Sequence, residues 1–195
     1  MSRGKEIQIM NNDRLLNFAF YVKTETEKRH GSTMIHKDLP LVLFVKPEDF
    51  LNISCSQNEN VLYLLAKDNL GLAVRDSWVK EFIVKQGLSD KYPDGTIFVF
   101  NHGNDDDEIL ESILCHELMH YFFKGIPNDD REGKGQGYNE ACTDFLAREI
   151  YGDNYFSSYE QMTDPNCPSY MKFYKEFKEG GEMKKKEILK EYFGN

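Results

Sequence analysis

Cysteine is sparse and unpaired in this chain. The 195 residues contain four, at positions 55, 115, 142 and 167, with no C-x-x-C spacing, so a disulfide framework is not expected. Cys115 and Cys142 fall on apolar helical positions and are expected as reduced core residues. Positive charge is also in deficit: 24 Lys and Arg stand against 33 Asp and Glu, a net charge of −9. That balance argues against nucleic acid or an anionic membrane as partner. No apolar run approaches the length of a membrane span, and no apolar stretch follows Met1–Glu6 as a secretory signal would require. The expected location is therefore cytoplasmic, although signal-less export would leave the same sequence. Repeats, low-complexity tracts and linkers are missing too. With 40% apolar content, the expectation is one domain over residues 1–195.

Short apolar runs are there, and they alternate with helical patterns. Residues 5–10 alternate weakly, as a short strand would. Asn11-Asn12-Asp13 caps a helix that runs through Leu15, Leu16, Phe18, Ala19 and Val22 and stops at Gly31. Leu41–Val45 reads as a buried strand. Val61–Leu65 and Leu70–Val74 suggest two strands, the first equally readable as helix. Residues 77–86 suggest a helix from Ser77 to Gly87. Tyr92-Pro93-Asp94-Gly95 is a turn into the strand Thr96–Phe100, expected at a sheet edge where an extended peptide can pair. Further helices are expected over 139–151, 168–178 and 182–193. The Tyr170, Phe173, Tyr174 and Phe177 stripe reads as core packing.

The chemistry concentrates at His116-Glu117-Leu118-Met119-His120. Ile109, Leu110, Ile113, Leu114 and Leu118 recur as a buried helical stripe. Asn104 or Asp105 is the expected N-cap, and the acids that follow complement the helix dipole. Gly125 and Pro127 are the expected stop. On such a helix the two histidines stand one turn apart on one face, so both imidazoles reach one metal ion. Glu117 lies on the neighbouring side of that face, placed to act on a water held at the metal.

A catalytic zinc site needs a third protein ligand, and no histidine follows His120. The ligand must be Glu, Asp, Cys or an upstream histidine: His30, His36 or His102. His30 and His36 sit in polar surroundings and read as surface residues; His102 follows the 96–100 strand and reads as surface or as cleft lining. Glu140, opening the 139–151 helix, is the best candidate. Asp144 stands one turn further on, where it can accept a hydrogen bond from the far nitrogen of a ligand histidine. The glycine-rich run 125–137 between the two helices reads as an irregular loop.

His116-Glu117-x-x-His120 followed by Asn139-Glu140-x-x-Thr143-Asp144 resembles the gluzincin pattern of thermolysin-like zinc metallopeptidases. The resemblance covers about residues 95–151. It implies an α+β, zincin-like core over 95–195: a small mixed sheet with an edge strand, an active-site helix and a Glu-bearing helix. Residues 1–94 would form an additional N-terminal α/β portion. It further implies one catalytic Zn2+ on His116, His120 and Glu140, Glu117 as general base, Asp144 supporting His116, and a peptide or protein substrate. Thr143 stands where many members have serine. Thermolysin's downstream histidine for the oxyanion has no counterpart, so Tyr138, Tyr151, Tyr155 and Tyr159 are the candidates for that role. A binding or regulatory module that keeps the metal without turnover is the alternative reading.

Overall fold

A computed structural model describes residues 13–50, 71–73, 77–85, 87, 89–103, 106–123, 136–157, 168–181, 183, 184, 186, 187 and 190. The elements in chain order are α1 (Asp13–His30), β1 (Val42–Val45), α2 (Pro47–Phe50), β2 (Gly71–Ala73), α3 (Ser77–Lys85), β3 (Ile97–Phe100), α4 (Asp107–Phe122), α5 (Gln136–Tyr151) and α6 (Pro168–Glu179). The expected strands at 5–10 and 61–65, Tyr159, most of the glycine-rich loop and much of the 182–193 segment lie outside the described residues. Among the described residues the architecture is mixed α and β, mostly helical, with one small sheet. No described helix is long and apolar enough to cross a membrane.

The sheet has the order β1-β3-β2. β1 runs parallel to β3, with Val42 opposite Ile97 and Val45 opposite Phe100. β2 runs antiparallel to β3, with Gly71 opposite Val99. The 97–100 strand is therefore central rather than an edge, and it has no free side for a peptide. Its composition agrees with that place: Ile97, Phe98, Val99 and Phe100 are all buried, as a strand covered on both faces must be. Among the described residues, β1 and β2 hold the outer positions of the sheet. Residues before position 95 thus supply two of the three strands.

α4 lies against both helices and sheet, in contact with α1, α5, β2 and β3. Its N-cap is Asp106, one residue later than expected, whose Oδ1 accepts the Ile109 N–H at 2.9 Å. Asp107 and Glu108 follow in the first turn, where the dipole favours them. Leu114, Cys115, Leu118, Met119 and Phe122 are completely buried. Burying each large aliphatic side chain of this set contributes about 1.5–3 kcal/mol, which outweighs the modest helix propensity of the histidines and cysteine among them.

The helix ends at Phe122, before Gly125 and Pro127 are reached. Phe123 is extended at φ −118°, and its N–H still bonds the Met119 carbonyl. The Phe122 carbonyl is taken at 2.9 Å by the N–H of Ile35, from the segment after α1. Phe123 is fully buried, and His30 packs edge-on against it. Tertiary burial therefore sets this boundary ahead of the glycine and proline. The same contact corrects the reading of His30 as a surface residue: its side chain is 13% exposed, 3.9 Å from the Glu149 carboxylate.

α5 starts at Gln136, three residues earlier than expected, and lies between α4 and α6. Cys142 on α5 and Cys115 on α4 are both free and buried, as expected of reduced core cysteines. α6 docks through Tyr170, Tyr174 and Phe177, all buried. Tyr138 meets Phe173 and Phe177 edge-on.

Candidate metal centre

α4 and α5 bring His116, His120 and Glu140 together. The four-residue spacing places the two imidazoles on one face of α4, with ring centroids 4.7 Å apart. Glu140, on the second turn of α5, faces them across the helix pair. Glu140 Oε2 lies 3.0 Å from His116 Nε2 and 3.1 Å from His120 Nε2, and the two Nε2 atoms are 3.0 Å apart. The side chains are 12%, 20% and 11% exposed for His116, His120 and Glu140, so the triangle is mostly buried with some access to solvent. Among the described residues this is the group of His, Cys, Asp and Glu side chains that can hold a metal ion. The other histidines stand apart from it: His36 is exposed and stacks on Tyr121, and His102 is exposed after β3.

The hydrogen bonds behind the triangle orient both rings. His116 Nδ1–H donates to Asp144 Oδ1 at 2.7 Å, leaving Nε2 to face the centre. On the other ring, Thr143 donates its only hydroxyl proton to the Asn139 carbonyl at 2.9 Å. Its oxygen is then left to accept from His120 Nδ1 at 3.3 Å, which turns the His120 Nε2 lone pair inward. Thr143, a mild departure from serine in the sequence pattern, thus has a definite task that the sequence did not reveal. Two imidazole nitrogens and a carboxylate oxygen now converge. With both Nε2 atoms unprotonated, acceptor faces acceptor in this triangle and one divalent ion satisfies all three; in the metal-free state a proton on His116 Nε2 can take that place, donating to Glu140 Oε2 at 3.0 Å. Tetrahedral zinc at about 2.0–2.1 Å from N and O ligands needs ligand atoms only slightly further apart than these.

Charge reinforces the arrangement. Burial on its own would lower the His116 pKa, but the adjoining Asp144 and Glu140 carboxylates outweigh it and raise the value well above 6.5. Burial would raise Glu140, yet His120 and His116 hold it well below the usual carboxylate range. Asp144 is likewise lowered against its burial, by His116 and by the hydroxyls of Ser157 and Tyr155. The centre is therefore a buried anion-rich pair poised to keep a cation between α4 and α5.

Glu117 is not part of the triangle. Its side chain runs alongside β2, where a Cβ on Gly71 would lie 2.6 Å from Glu117 Oε1, 2.7 Å from its Cγ and 2.9 Å from Ile113 Cγ2. Only a residue without a Cβ lets the strand come this close. Gly71→Ala must therefore displace Glu117 or the strand. We expect it to lower any hydrolytic rate about tenfold or more, since small misplacements of a reacting group have effects of that size, with metal content unchanged. Rate and metal content measured on one preparation check this.

Three of the four tyrosines available for the oxyanion role, Tyr138, Tyr151 and Tyr155, are among the described residues and make other contacts. Tyr155 is buried behind Asp144, its hydroxyl donating to Asp144 Oδ1. The Tyr151 hydroxyl reaches the Glu108 carbonyl and Glu111 at 3.3 and 3.4 Å, in the first turns of α4. Tyr138 is buried against α6. What sequence reading missed was this second use of tyrosine, together with Ser157 and Tyr170, around a single aspartate. The only signal was their proximity to α5 in sequence or on an apolar stripe.

No family model matches the chain, and no curated protein or solved structure is significantly similar to it.

Proposed function

We propose that this protein is a zinc-dependent metallopeptidase of gluzincin type. The observation that carries the reading is the convergence of His116, His120 and Glu140 within 3.1 Å, with both rings oriented from behind and Glu117 on the adjacent side of the same helix. Two histidines and one glutamate form a ligand set used by catalytic zinc, and nitrogen and oxygen donors suit that ion.

His116, His120 and Glu140 would hold the zinc. When bound, zinc supplies Lewis acidity, lowering the pKa of a water to about 7 and polarising a carbonyl. Glu117 takes the proton from the attacking water and passes it to the leaving amine. Asp144 keeps His116 in the tautomer that presents Nε2 and supports the positive charge shared with the ring. β2, the strand bordering Glu117, is where an extended peptide would add to the sheet and lie across the base. This role was expected of the 96–100 strand and passes to its neighbour.

A metal-holding module without turnover is the second reading. It is favoured by the engagement of Tyr138, Tyr151 and Tyr155 in the core or at the start of α4, away from the Nε2 side of the centre. Metal analysis of the purified protein tests the shared premise. We expect about one zinc per chain, lost in Glu140→Ala and retained in Glu117→Gln. A wild-type protein that stays metal-free when zinc is supplied would overturn both readings. A zinc-loaded protein inert towards a peptide library would leave the module.

A further inference from the structure

Asp144 is 1% exposed, and its two oxygens accept four hydrogen bonds. Oδ1 accepts from His116 Nδ1–H at 2.7 Å and from the Tyr155 hydroxyl. Oδ2 accepts from the Ser157 hydroxyl, and from the Tyr170 hydroxyl at 2.6 Å. A carboxylate offers about four lone-pair sites, so this one is saturated, with one donor from the ligand histidine and three from hydroxyls.

Three separate features of the fold deliver those hydroxyls. Gly152, at φ +101°, reverses the chain at the end of α5, a backbone conformation that glycine adopts without strain. The reversed segment is tied to α4 by the Phe156 N–H, which donates to Ser112 Oγ at 3.1 Å. This tether places Tyr155 and Ser157 beneath Asp144. The third hydroxyl comes from α6, a different element, whose Tyr170 stacks on Tyr174 with ring centroids 5.4 Å apart. An apolar side chain would pack the same space. A buried hydroxyl is retained at a cost unless it is bonded, and all three are aimed at one carboxylate.

We propose that Tyr155, Ser157 and Tyr170 are positioning residues of the metal centre. They fix the plane of Asp144 and thereby the His116 ring, so that α6, through Tyr170, sets how tightly the ion is held. The inference rests on the metal-binding reading above. Removing a hydroxyl has two opposed effects. It leaves Asp144 more electron-rich, which would strengthen its bond to His116, and it frees the carboxylate to rotate. Rotation dominates, because at 1% exposure no water has access to replace the missing donor and hold the plane.

The test uses the full chain and two metals. The zinc dissociation constant is measured by competition with a chromogenic chelator, and the visible absorption of the cobalt(II)-loaded protein reports ligand geometry. Tyr170→Phe and Ser157→Ala each remove one hydroxyl while keeping most of the side-chain volume, and Ser157→Thr retains it. Phe177→Leu trims an α6 side chain that packs on Tyr138 and Phe145, two turns from Tyr170, and leaves the Tyr170 hydroxyl in place. We expect Tyr170→Phe and Ser157→Ala to weaken zinc binding about three- to tenfold, less than the roughly 10–100-fold cost of losing a direct partner of a ligand, because each hydroxyl acts one step further out and three donors to Asp144 remain. Their cobalt spectra should shift, Ser157→Thr should restore wild-type affinity, and Phe177→Leu should change neither readout. Wild-type affinity and spectrum in both hydroxyl variants would overturn the proposal and leave the metal site standing. So would an equal loss in Phe177→Leu, which would make the effect one of general packing. A wild-type chain that takes up neither metal would overturn the proposal together with the reading beneath it.

Discussion

Glu117→Gln is expected to lower peptide hydrolysis by about 10²–10⁴-fold, the range for loss of a positioned general acid–base, while zinc content stays at the wild-type level. The two halves of this result have separate physical origins. The three atoms that would hold the metal do not include one of Glu117, so an isosteric amide leaves the triangle of His116, His120 and Glu140 intact. The reaction, by contrast, needs a group that accepts a proton from water and returns it to the amine. An amide can hold the water by a hydrogen bond but cannot carry its proton. The position matters as much as the chemistry, since β2 presses Gly71 against this one side chain. Comparing kcat/KM with metal content on the same preparation checks the prediction. A variant that hydrolyses peptide as fast as wild type would remove Glu117 from the mechanism.

The second large effect is on stability. Asp144→Ala is expected to destabilise the metal-free fold by about 3–5 kcal/mol, as removal of one member of a buried charge pair does. The aspartate is the common acceptor for His116, Tyr155, Ser157 and Tyr170. Alanine leaves those donors facing a cavity, and each unsatisfied buried group adds its own desolvation penalty. The pH dependence follows from the directions of the shifts. Asp144 and Glu140 are lowered from 3.8 and 4.5, so their contribution is present above those values and is lost as pH falls through the folded-state pKa. His116 is raised above 6.5, so its contribution is complete below 6.5 and is lost as pH rises through its folded-state pKa. Metal-free wild type should therefore be most stable between these limits, around pH 5–6.5. Alanine at 144 should flatten both flanks. Urea denaturation of the metal-free protein across pH, followed by circular dichroism, measures this. A loss under about 1 kcal/mol, the size of an ordinary surface change, would show that Asp144 does not carry the cluster.

The two halves of the candidate metal group were legible because helices convert sequence spacing into geometry locally. Positions four apart share a face whatever surrounds the helix, so His116 and His120 could be paired, and Glu140 with Asp144, from the chain alone. The cores of α1 and α6 and the buried cysteines were readable for the same reason, as apolar residues at helical spacing.

Strand order is a different kind of information. Val42 pairs with Ile97, and Gly71 with Val99, across separations that leave no mark in local composition. The run Ile97–Phe100 signals a strand, but whether it lies at the edge or in the middle depends on what two distant segments do. Helix boundaries were likewise decided from outside, as where the Ile35 N–H and the burial of Phe123 end α4 ahead of Gly125. The tyrosines make the same point chemically. A phenol serves an apolar core and a hydrogen-bond network equally well, and its sequence position does not say which. What the sequence determined by itself was which residues can share a metal, through one helical turn and its repeat. Which strand lies beside Glu117, and which hydroxyls hold the aspartate, were set only when remote segments packed together, because those contacts exist in three dimensions and in no local pattern.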